Sequence, residues 1–286
     1  MAFSFPQFIP KENILIINPP RERETMESMV KFLYPPPSNL FISAMSVASV
    51  VSLANAGFSE IRGKNMKYSK FSIADGKERK ISGRNGMLLA YTPAFLAAVA
   101  SFGLVPDEGL KVLLIKSAVT IHFLKRIFEV LFIHKYSGGM DLGVAIPISF
   151  SYFISTTAMI YSQHLIQGHS ESQIDLSYPG IVLFLIGISG NFYHHYLLSK
   201  LRSNNSDKEY KIPKGGLFDL IICPHYFFEI LGFWGVFFIS QTVYTFSFTI
   251  GTTLYLMGRS YATRRWYLSK FDDFSRDIKA LIPFVF

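Results

Sequence analysis

The chain has 286 residues; half are hydrophobic (50%), 16% are aromatic, only 17% are charged, and the mean hydropathy is +0.29. A soluble domain carries nearer ~25% charge, spread over its surface. Here the charges sit in knots between long uncharged runs, the pattern of membrane helices and their loops. A net charge of +8 would point a soluble protein toward nucleic acid. The basic residues fall in alternate loops instead, so no nucleic-acid partner is expected. A single cysteine, Cys223, excludes an internal disulfide.

In chain order, the start (residues 3–20) is broken by Pro6, Pro10, Pro19 and Pro20 and lacks the apolar core of a signal peptide. The first span is therefore expected to act as its own membrane signal. Residues 1–39 read as an amino-terminal segment, with a short surface helix expected in the Arg21–Lys31 stretch. A helix needs about 20 apolar residues to cross a ~30 Å hydrocarbon layer, with its backbone bonded internally. Seven stretches qualify: Leu40–Phe58, Asn85–Leu104, Leu110–Ile133, Leu142–Gln167, Tyr178–Leu198, Leu217–Ser240 and Val243–Tyr261. The expected fold is an all-α, seven-helix transmembrane bundle over residues 40–286. Prolines are expected to interrupt the second, fourth and sixth spans near Pro93, Pro147 and Pro224. No internal repeat or low-complexity tract is seen.

Basic residues crowd the loops at 59–84 and 199–216 and the tail, with Lys135 in the loop between them; the intervening loops hold Asp107, Glu108, Glu171 and Asp175 instead. The positive-inside rule then predicts a lumenal amino terminus and a cytosolic carboxyl terminus. The sequon at Asn204 is expected to be unused, since it falls on the cytosolic side.

Ionisable groups inside the hydrocarbon are costly and tend to face a site. The third span carries His122, Lys125, Arg126 and Glu129, spaced to share one helical face, and His134 follows. The fifth carries Asn191, His194 and His195, the sixth His225, Tyr226 and Glu229, and the seventh Arg259, Arg264 and Arg265. By depth, all four groups fall in the cytosolic half and predict a basic, histidine-rich cavity suited to a polyanionic ligand. The plain alternatives are that Lys125, Arg126 and Glu129 merely pair with one another and that the last arginines reach for water. No Rossmann or Walker glycine motif is present, and no metal-ligand set is recognised; adjacent His194 and His195 would point about 100° apart on a helix.

The segment Tyr210-Lys211-Ile212-Pro213-Lys214-Gly215-Gly216-Leu217-Phe218, then Cys223-Pro224-His225-Tyr226 with Glu229, Trp266-Tyr267-Leu268 and the ending Lys279-Ala280-Leu281-Ile282-Pro283-Phe284-Val285-Phe286, resembles the steroid 5α-reductase family. The resemblance is strong over about the last hundred residues and marks 135–286 as the family's carboxyl-terminal region. It implies a seven-helix fold in the endoplasmic reticulum membrane, NADPH as cofactor, and reduction of a carbon–carbon double bond conjugated to a carbonyl. It further implies a lipid substrate entering from the bilayer, and association with other lipid-biosynthesis enzymes. The family's cofactor positions fall on Asn191, His195, Arg202, Lys211, His225, Glu229, Arg259 and Tyr267. Among these, His225 stands where the steroid branch has Asn, His195 where it has Asp, and Lys211 where it has Arg. Ala90-Tyr91 stands where that branch has Gln-Glu, Phe123 replaces a tyrosine, and Thr263 a histidine. His122-Phe123-Leu124-Lys125-Arg126, with Glu129 and the run from Leu131 to Ser137, instead looks like the trans-2-enoyl-CoA reductase branch. The substrate is thus left between a 3-oxo-Δ4-steroid and a very-long-chain trans-2-enoyl-CoA.

Hydride delivery to the β-carbon requires a hydrogen-bond donor for the developing oxyanion and a proton at the α-carbon. Tyr226 is the first candidate donor and Tyr91 the second, while Lys125 is placed to tune a tyrosine or hold a thioester or phosphate. Two other readings stay open on residues alone: a membrane methyltransferase using S-adenosylmethionine, and a non-enzymatic lipid-binding or transport protein.

Overall fold

The computed structural model describes residues 31–35, 37, 39–71, 80–105, 109–136, 138–168, 172–202 and 210–286. The proline-broken start, most of the Arg21–Lys31 stretch and the Asn204 sequon lie outside them.

Among the described residues there are seven long helices: α1 (Leu40–Ile61), α2 (Gly83–Leu104), α3 (Leu110–Phe128), α4 (Leu142–Leu165), α5 (Ser177–Lys200), α6 (Pro224–Ser240) and α7 (Val243–Lys270). Four of them, α1, α2, α4 and α5, are long and apolar enough to cross a membrane. Their outward faces carry exposed apolar side chains at mid-helix, such as Leu96 (58% exposed), Phe150 (65%) and Val182 (58%). A lipid-facing bundle wants that surface. The chain is a multi-pass, all-α membrane protein.

Small polar caps start α1, α2, α4 and α7. Asn39 accepts from the Ile42 N–H at 3.1 Å, Asp141 from Gly143 at 2.8 Å and Thr242 from Thr245 at 3.3 Å. The loops after α1 and α3 are tied by a short antiparallel ladder, β1 (Lys80–Ser82) against β2 (Gly139–Asp141).

The prolines behave differently from expectation. Pro93 and Pro147 lie inside continuous helices, and Pro224 is the first residue of α6, where its missing N–H would be unbonded in any case. Pro93 cannot bond the Leu89 carbonyl one turn back. Ser149 of α4 donates to that carbonyl at 2.7 Å, so the neighbouring helix repairs the gap in place.

Helix pairs approach through glycines. A Cβ on Gly187 of α5 would lie 2.3 Å from the Gly232 nitrogen of α6, and one on Gly258 of α7 would lie 2.1 Å from the Gly57 oxygen of α1. Without a hydrophobic drive between helices in lipid, such close backbone packing is a main source of association.

One end of the bundle is closed. Gln241 turns the chain between α6 and α7 in the left-handed region (φ 54) and is fully buried. Its Nε2 donates to the Phe32 and Ile174 carbonyls at 2.6 and 2.8 Å, and its Oε1 accepts from Lys111 Nζ at 2.9 Å and Leu176 N at 3.1 Å. Lys111 also pairs with Asp175 at 3.0 Å. The opposite end is open and contains the site.

Candidate active site

A cavity of about 590 Å³ runs from the open end into the bundle. Its inner wall is apolar, with Leu53 and Ala56 of α1, Met87 of α2, Ile148 of α4, Phe233 of α6 and Phe248 of α7. Toward the mouth it is lined by Lys70, Lys135, Arg202, Lys211 and Arg259, with Arg126 deeper in; against these stands the carboxylate of Glu229.

Helix α3 supplies the central ion-pair network. Beyond Phe128 the helix widens into a π turn, Glu129–Ile133, a distortion frequent at functional sites. Glu129 is fully buried there; its Oε1 lies 3.0 Å from Lys125 Nζ and its Oε2 2.9 Å from Arg126 Nη1. The mutual pairing of Lys125, Arg126 and Glu129 therefore exists, and Arg126 faces the cavity as well. Arg126 Nη2 donates to the Tyr91 hydroxyl of α2, and its Nη1 lies 3.1 Å from His195 Nδ1. That same His195 nitrogen is 3.0 Å from Glu129 Oε1, so its tautomer decides which of the two bonds forms. Lys125 Nζ donates to Asn191 Oδ1, and Asn191 Nδ2 donates to the His225 carbonyl at 2.7 Å and approaches Glu229 Oε2 at 3.4 Å.

Nine of the eleven catalytic and cofactor candidates line this one cavity: Tyr91, His195, Arg202, Lys211, His225, Tyr226, Glu229, Arg259 and Tyr267. Lys125 and Asn191 are not among the lining side chains, but stand bonded to each other behind Glu129 and Glu229. His122 is not brought to the cavity. One turn further into the bundle, it packs at 5.0 Å against each of the Phe123 and Phe233 rings. His194 turns away as its neighbour turns in: its Nδ1 bonds the Gly190 carbonyl at 2.7 Å, and its Nε2 accepts from Leu217 N at 3.1 Å. Arg264 and Arg265 stay at the rim, with Arg264 Nε donating to the Ile278 carbonyl at 2.6 Å and Arg265 Nη1 reaching the Ile61 carbonyl at 3.4 Å.

Glu60, Met66, Tyr68 and Lys70 were missed from sequence as site residues, and they gather around or beside the predicted Arg259. Arg259 is buried and paired at 2.7 Å with Glu60 Oε1 at the end of α1; its guanidinium lies 4.3 Å from the Tyr68 and Phe71 ring centres. The loop after α1 thus folds back over the cavity, adding Met66, Tyr68 and Lys70 to its lining. Lys70 Nζ lies 4.7 Å from the Tyr267 ring centre, and burial lowers its pKa to about 8, against a smaller upward pull from Cys223, with Arg259 adding a further downward push. His134 bonds the Tyr136 hydroxyl at 3.0 Å, and burial, then the charge of Arg126, lowers its pKa to about 4. Arg202 and Lys135 clasp each other's backbone: Arg202 Nη1 to the Lys135 carbonyl at 2.8 Å, Lys135 Nζ to the Arg202 carbonyl at 2.6 Å.

The terminal motif acts at the mouth without entering it. Ile222 N donates to the Lys279 carbonyl, and Lys279 N to the Leu220 carbonyl, both at 2.9 Å. The tail so straps down the Cys223-Pro224 entry to α6, which aims His225, Tyr226 and Glu229.

Glu129, His134 and His195 bring one potential metal-ligand atom each within 4.8 Å of one another. Lys125 and Arg126 already share that carboxylate, and two cations beside it oppose a third. A polyanion suits the cavity better. Two buried nitrogens, His225 Nδ1 and Arg126 Nε, have no hydrogen-bond partner among the described residues. Orphaned polar atoms of this kind are costly unless a ligand or water meets them.

Comparison with known proteins agrees with this construction. The family described as 3-oxo-5-alpha-steroid 4-dehydrogenase matches residues 144–286, half of the chain. The chain belongs to this family. A steroid 5-alpha-reductase of Gossypium hirsutum is 42% identical over 108 residues, covering 37% of this chain and 42% of that protein. A very-long-chain enoyl-CoA reductase of Dictyostelium discoideum is 32% identical over 169 residues, covering 58% and 55%. The 3-oxo-5-alpha-steroid 4-dehydrogenase 1 of Rattus norvegicus is 29% identical over 194 residues, covering 66% and 71%. The chain spans only about half the length of the first two of these relatives. The family match begins at the start of α4 and takes in Asn191, His195, Arg202 and the whole of α6 and α7. Tyr91 and the α3 network lie before it.

Proposed function

We propose that this protein is an NADPH-dependent reductase of a carbon–carbon double bond conjugated to a carbonyl in a membrane lipid. The observation that carries this is one cavity with a cationic mouth and an apolar depth, built on a family of oxidoreductases. NADPH carries a pyrophosphate and a 2′-phosphate, for which Arg202, Lys211 and Lys70 are the cations in place. His195, His225 and Glu229 would meet the neutral hydrogen-bonding groups of the cofactor, Asn191 would hold Glu229 and the His225 backbone from behind, and Tyr267 and Arg259 would flank it. When bound, NADPH supplies a hydride, that is two electrons and one proton. The lipid would occupy the apolar wall.

At the substrate, reduction requires a donor to the carbonyl oxygen as negative charge gathers there, and one solvent proton at the α-carbon to complete the saturated product. Of the tyrosines that line the cavity, Tyr226 and Tyr91 are the candidates read from the sequence, and Lys125 stands bonded to Glu129 and Asn191. The family resemblance favours the endoplasmic reticulum membrane, and the alternation of basic and acidic loops favours a lumenal amino terminus, with the carboxyl terminus and cavity mouth cytosolic, where reduced nucleotide is available. A substrate that stays in the bilayer favours association with other lipid-biosynthesis enzymes.

The test is direct. Microsomes containing the protein are given NADPH and either a 3-oxo-Δ4-steroid or a long-chain trans-2-enoyl-CoA. Saturation of one of them is expected; consumption of neither, with NADPH unoxidised, would remove the proposal.

A further inference from the structure

We propose that the turn at residues 281–286 is a membrane anchor. It seats in the headgroup–acyl boundary of the leaflet on the side of the cavity mouth, and from there holds the strap that fixes the entry to α6. The depth follows from α1 and α7. Helix α1 is apolar enough to cross the membrane, and at Ile61 it gives way to exposed Arg62, Gly63 and Lys64. The hydrocarbon therefore ends near that level. Helix α7 is locked beside it, with Gly258 packed on Gly57 and Arg265 Nη1 3.4 Å from the Ile61 carbonyl. Tyr261 thus lies at the boundary, and the nine residues from there to Lys270 carry α7 about 13 Å into water. The chain then comes back. Phe286 stacks on Tyr261, with ring centres 6.4 Å apart and planes at 18°, which returns 281–286 to the boundary.

What the turn shows there is apolar. Phe284 is 79% exposed and Val285 77%, more than Leu96, Phe150 or Val182 on the lipid-facing helices. Ile282 is exposed with them, and Phe58 and Ile61 of α1 are exposed at the same level. Phe284 has φ 65, a left-handed backbone that is costly for a bulky residue. So exposed a ring gains little from the protein in return, and a lipid interface is the environment that favours it. The backbone is already answered for low dielectric. Leu281 N and Ile282 N both donate to the Phe286 carbonyl at 2.7 Å, and Val285 N and Phe286 N to the Ile282 carbonyl at 3.1 and 3.0 Å. Arg62 and Arg265 are exposed at the end of α1, the first 4.0 Å from the Phe58 ring centre and the second 5.9 Å from that of Tyr261. Both stand at the height of lipid phosphates, so the partner is a phospholipid surface. The exposed carboxylates of the tail, Asp272, Asp273 and Asp277, come earlier, alongside the end of α7 that stands in water. From the anchor the strap runs inward. Lys279, two residues before the turn, bonds Leu220 and Ile222 at 2.9 Å, just ahead of Cys223-Pro224. A tail held at the leaflet thereby holds the α6 entry.

The experiment uses the full chain in nanodiscs of phosphatidylcholine and phosphatidylserine. A nitroxide label is placed at Val285→Cys, or at Lys270→Cys for comparison, each with Cys223→Ser. The label at 285 is expected to collide with oxygen more than with a water-soluble nickel chelate, at a depth of about 5–10 Å below the headgroups. The label at 270 is expected to show the reverse. Equal access of the nickel chelate to both positions would overturn the anchor. A second arm follows amide hydrogen exchange in Phe284→Ser/Val285→Ser, which removes the apolar side chains and leaves the backbone of the turn in place. The Ile222 and Lys279 amides should exchange about 10-fold faster than in wild type, as a locally loosened segment does, with the mid-helix amides of α4 unchanged. Wild-type exchange at Ile222 and Lys279 would overturn the link from the anchor to α6. Neither readout needs a cofactor or a substrate, so both stand apart from the reductase reading.

Discussion

The two ends of the bundle handle buried polarity in opposite ways. At the closed end, Gln241 has both carboxamide atoms bonded twice, to Phe32, Ile174, Leu176 and Lys111, and Lys111 has Asp175. At the open end, cations outnumber the carboxylate that faces them, and His225 Nδ1 and Arg126 Nε are buried without partners among the described residues. Both arrangements are made of costly groups in a membrane protein. At Gln241 each carboxamide atom is answered from within and the chemistry holds the fold; at the cavity wall two nitrogens are left over, facing the space a ligand would fill.

The largest effect that would test this contrast lies at the closed end. Gln241→Leu strands two carbonyls and an amide N–H and takes one of the Lys111 ammonium's partners, and should destabilise the protein by about 3–5 kcal/mol, at about 1–3 per stranded group with partial rescue by water. Thermal unfolding in detergent measures it, and NADPH affinity of the folded fraction should not change. At the open end the pattern inverts. Arg202→Ala and Glu229→Ala should each weaken NADPH binding by about 10–100-fold, the loss of one charge-assisted hydrogen bond, with little change in unfolding temperature. Titration calorimetry checks this; unaltered affinity in both variants would remove Arg202 and Glu229 from the cofactor site.

The smallest effect is a pH dependence. Lys70 has its pKa lowered to about 8 by burial, with Arg259 pushing the same way and Cys223 opposing. It is cationic below that value and neutral above it, so its attraction for a phosphate is present at pH 7 and fades as pH rises through 8. NADPH affinity should fall by a few-fold, under about 1 kcal/mol as for a partly screened pair, between pH 7 and 9. Lys70→Met should flatten that slope; an equally steep slope in the variant would assign it to another group.

The spans were legible where hydropathy alone suffices, as in α1, α2, α4 and α5; the sixth, expected from Leu217, starts at Pro224, and the seventh runs past Tyr261 to Lys270, because there the ends are set by a proline and by packing on the tail. The site was legible where helical spacing applies, as for Lys125, Arg126 and Glu129, and where a motif carries it, as for His225, Tyr226 and Glu229. It failed where tertiary packing decides. His122 shares a helical face with Arg126, but one turn inward that face meets Phe233 rather than open space. Glu60 ends α1 and Lys70 sits in the loop after it, whose basic residues read as orientation signals, and no local pattern announces that the loop folds back onto Arg259. The π turn at Glu129–Ile133 likewise leaves no mark in the hydrophobic period, though an acid inside an apolar run was a hint that Glu129 is held.

The most direct measurement is a thermal-shift assay of the purified protein with NADPH, NADH and S-adenosylmethionine. A ligand at about 100 times its Kd adds about 2.7 kcal/mol to a native state it binds alone, roughly 5–10 °C for a chain of this size. We predict a shift of that order with NADPH and a smaller one with NADH, because the 2′-phosphate adds charge to a cationic mouth. No shift with NADPH, or a shift with S-adenosylmethionine alone, would contradict the account.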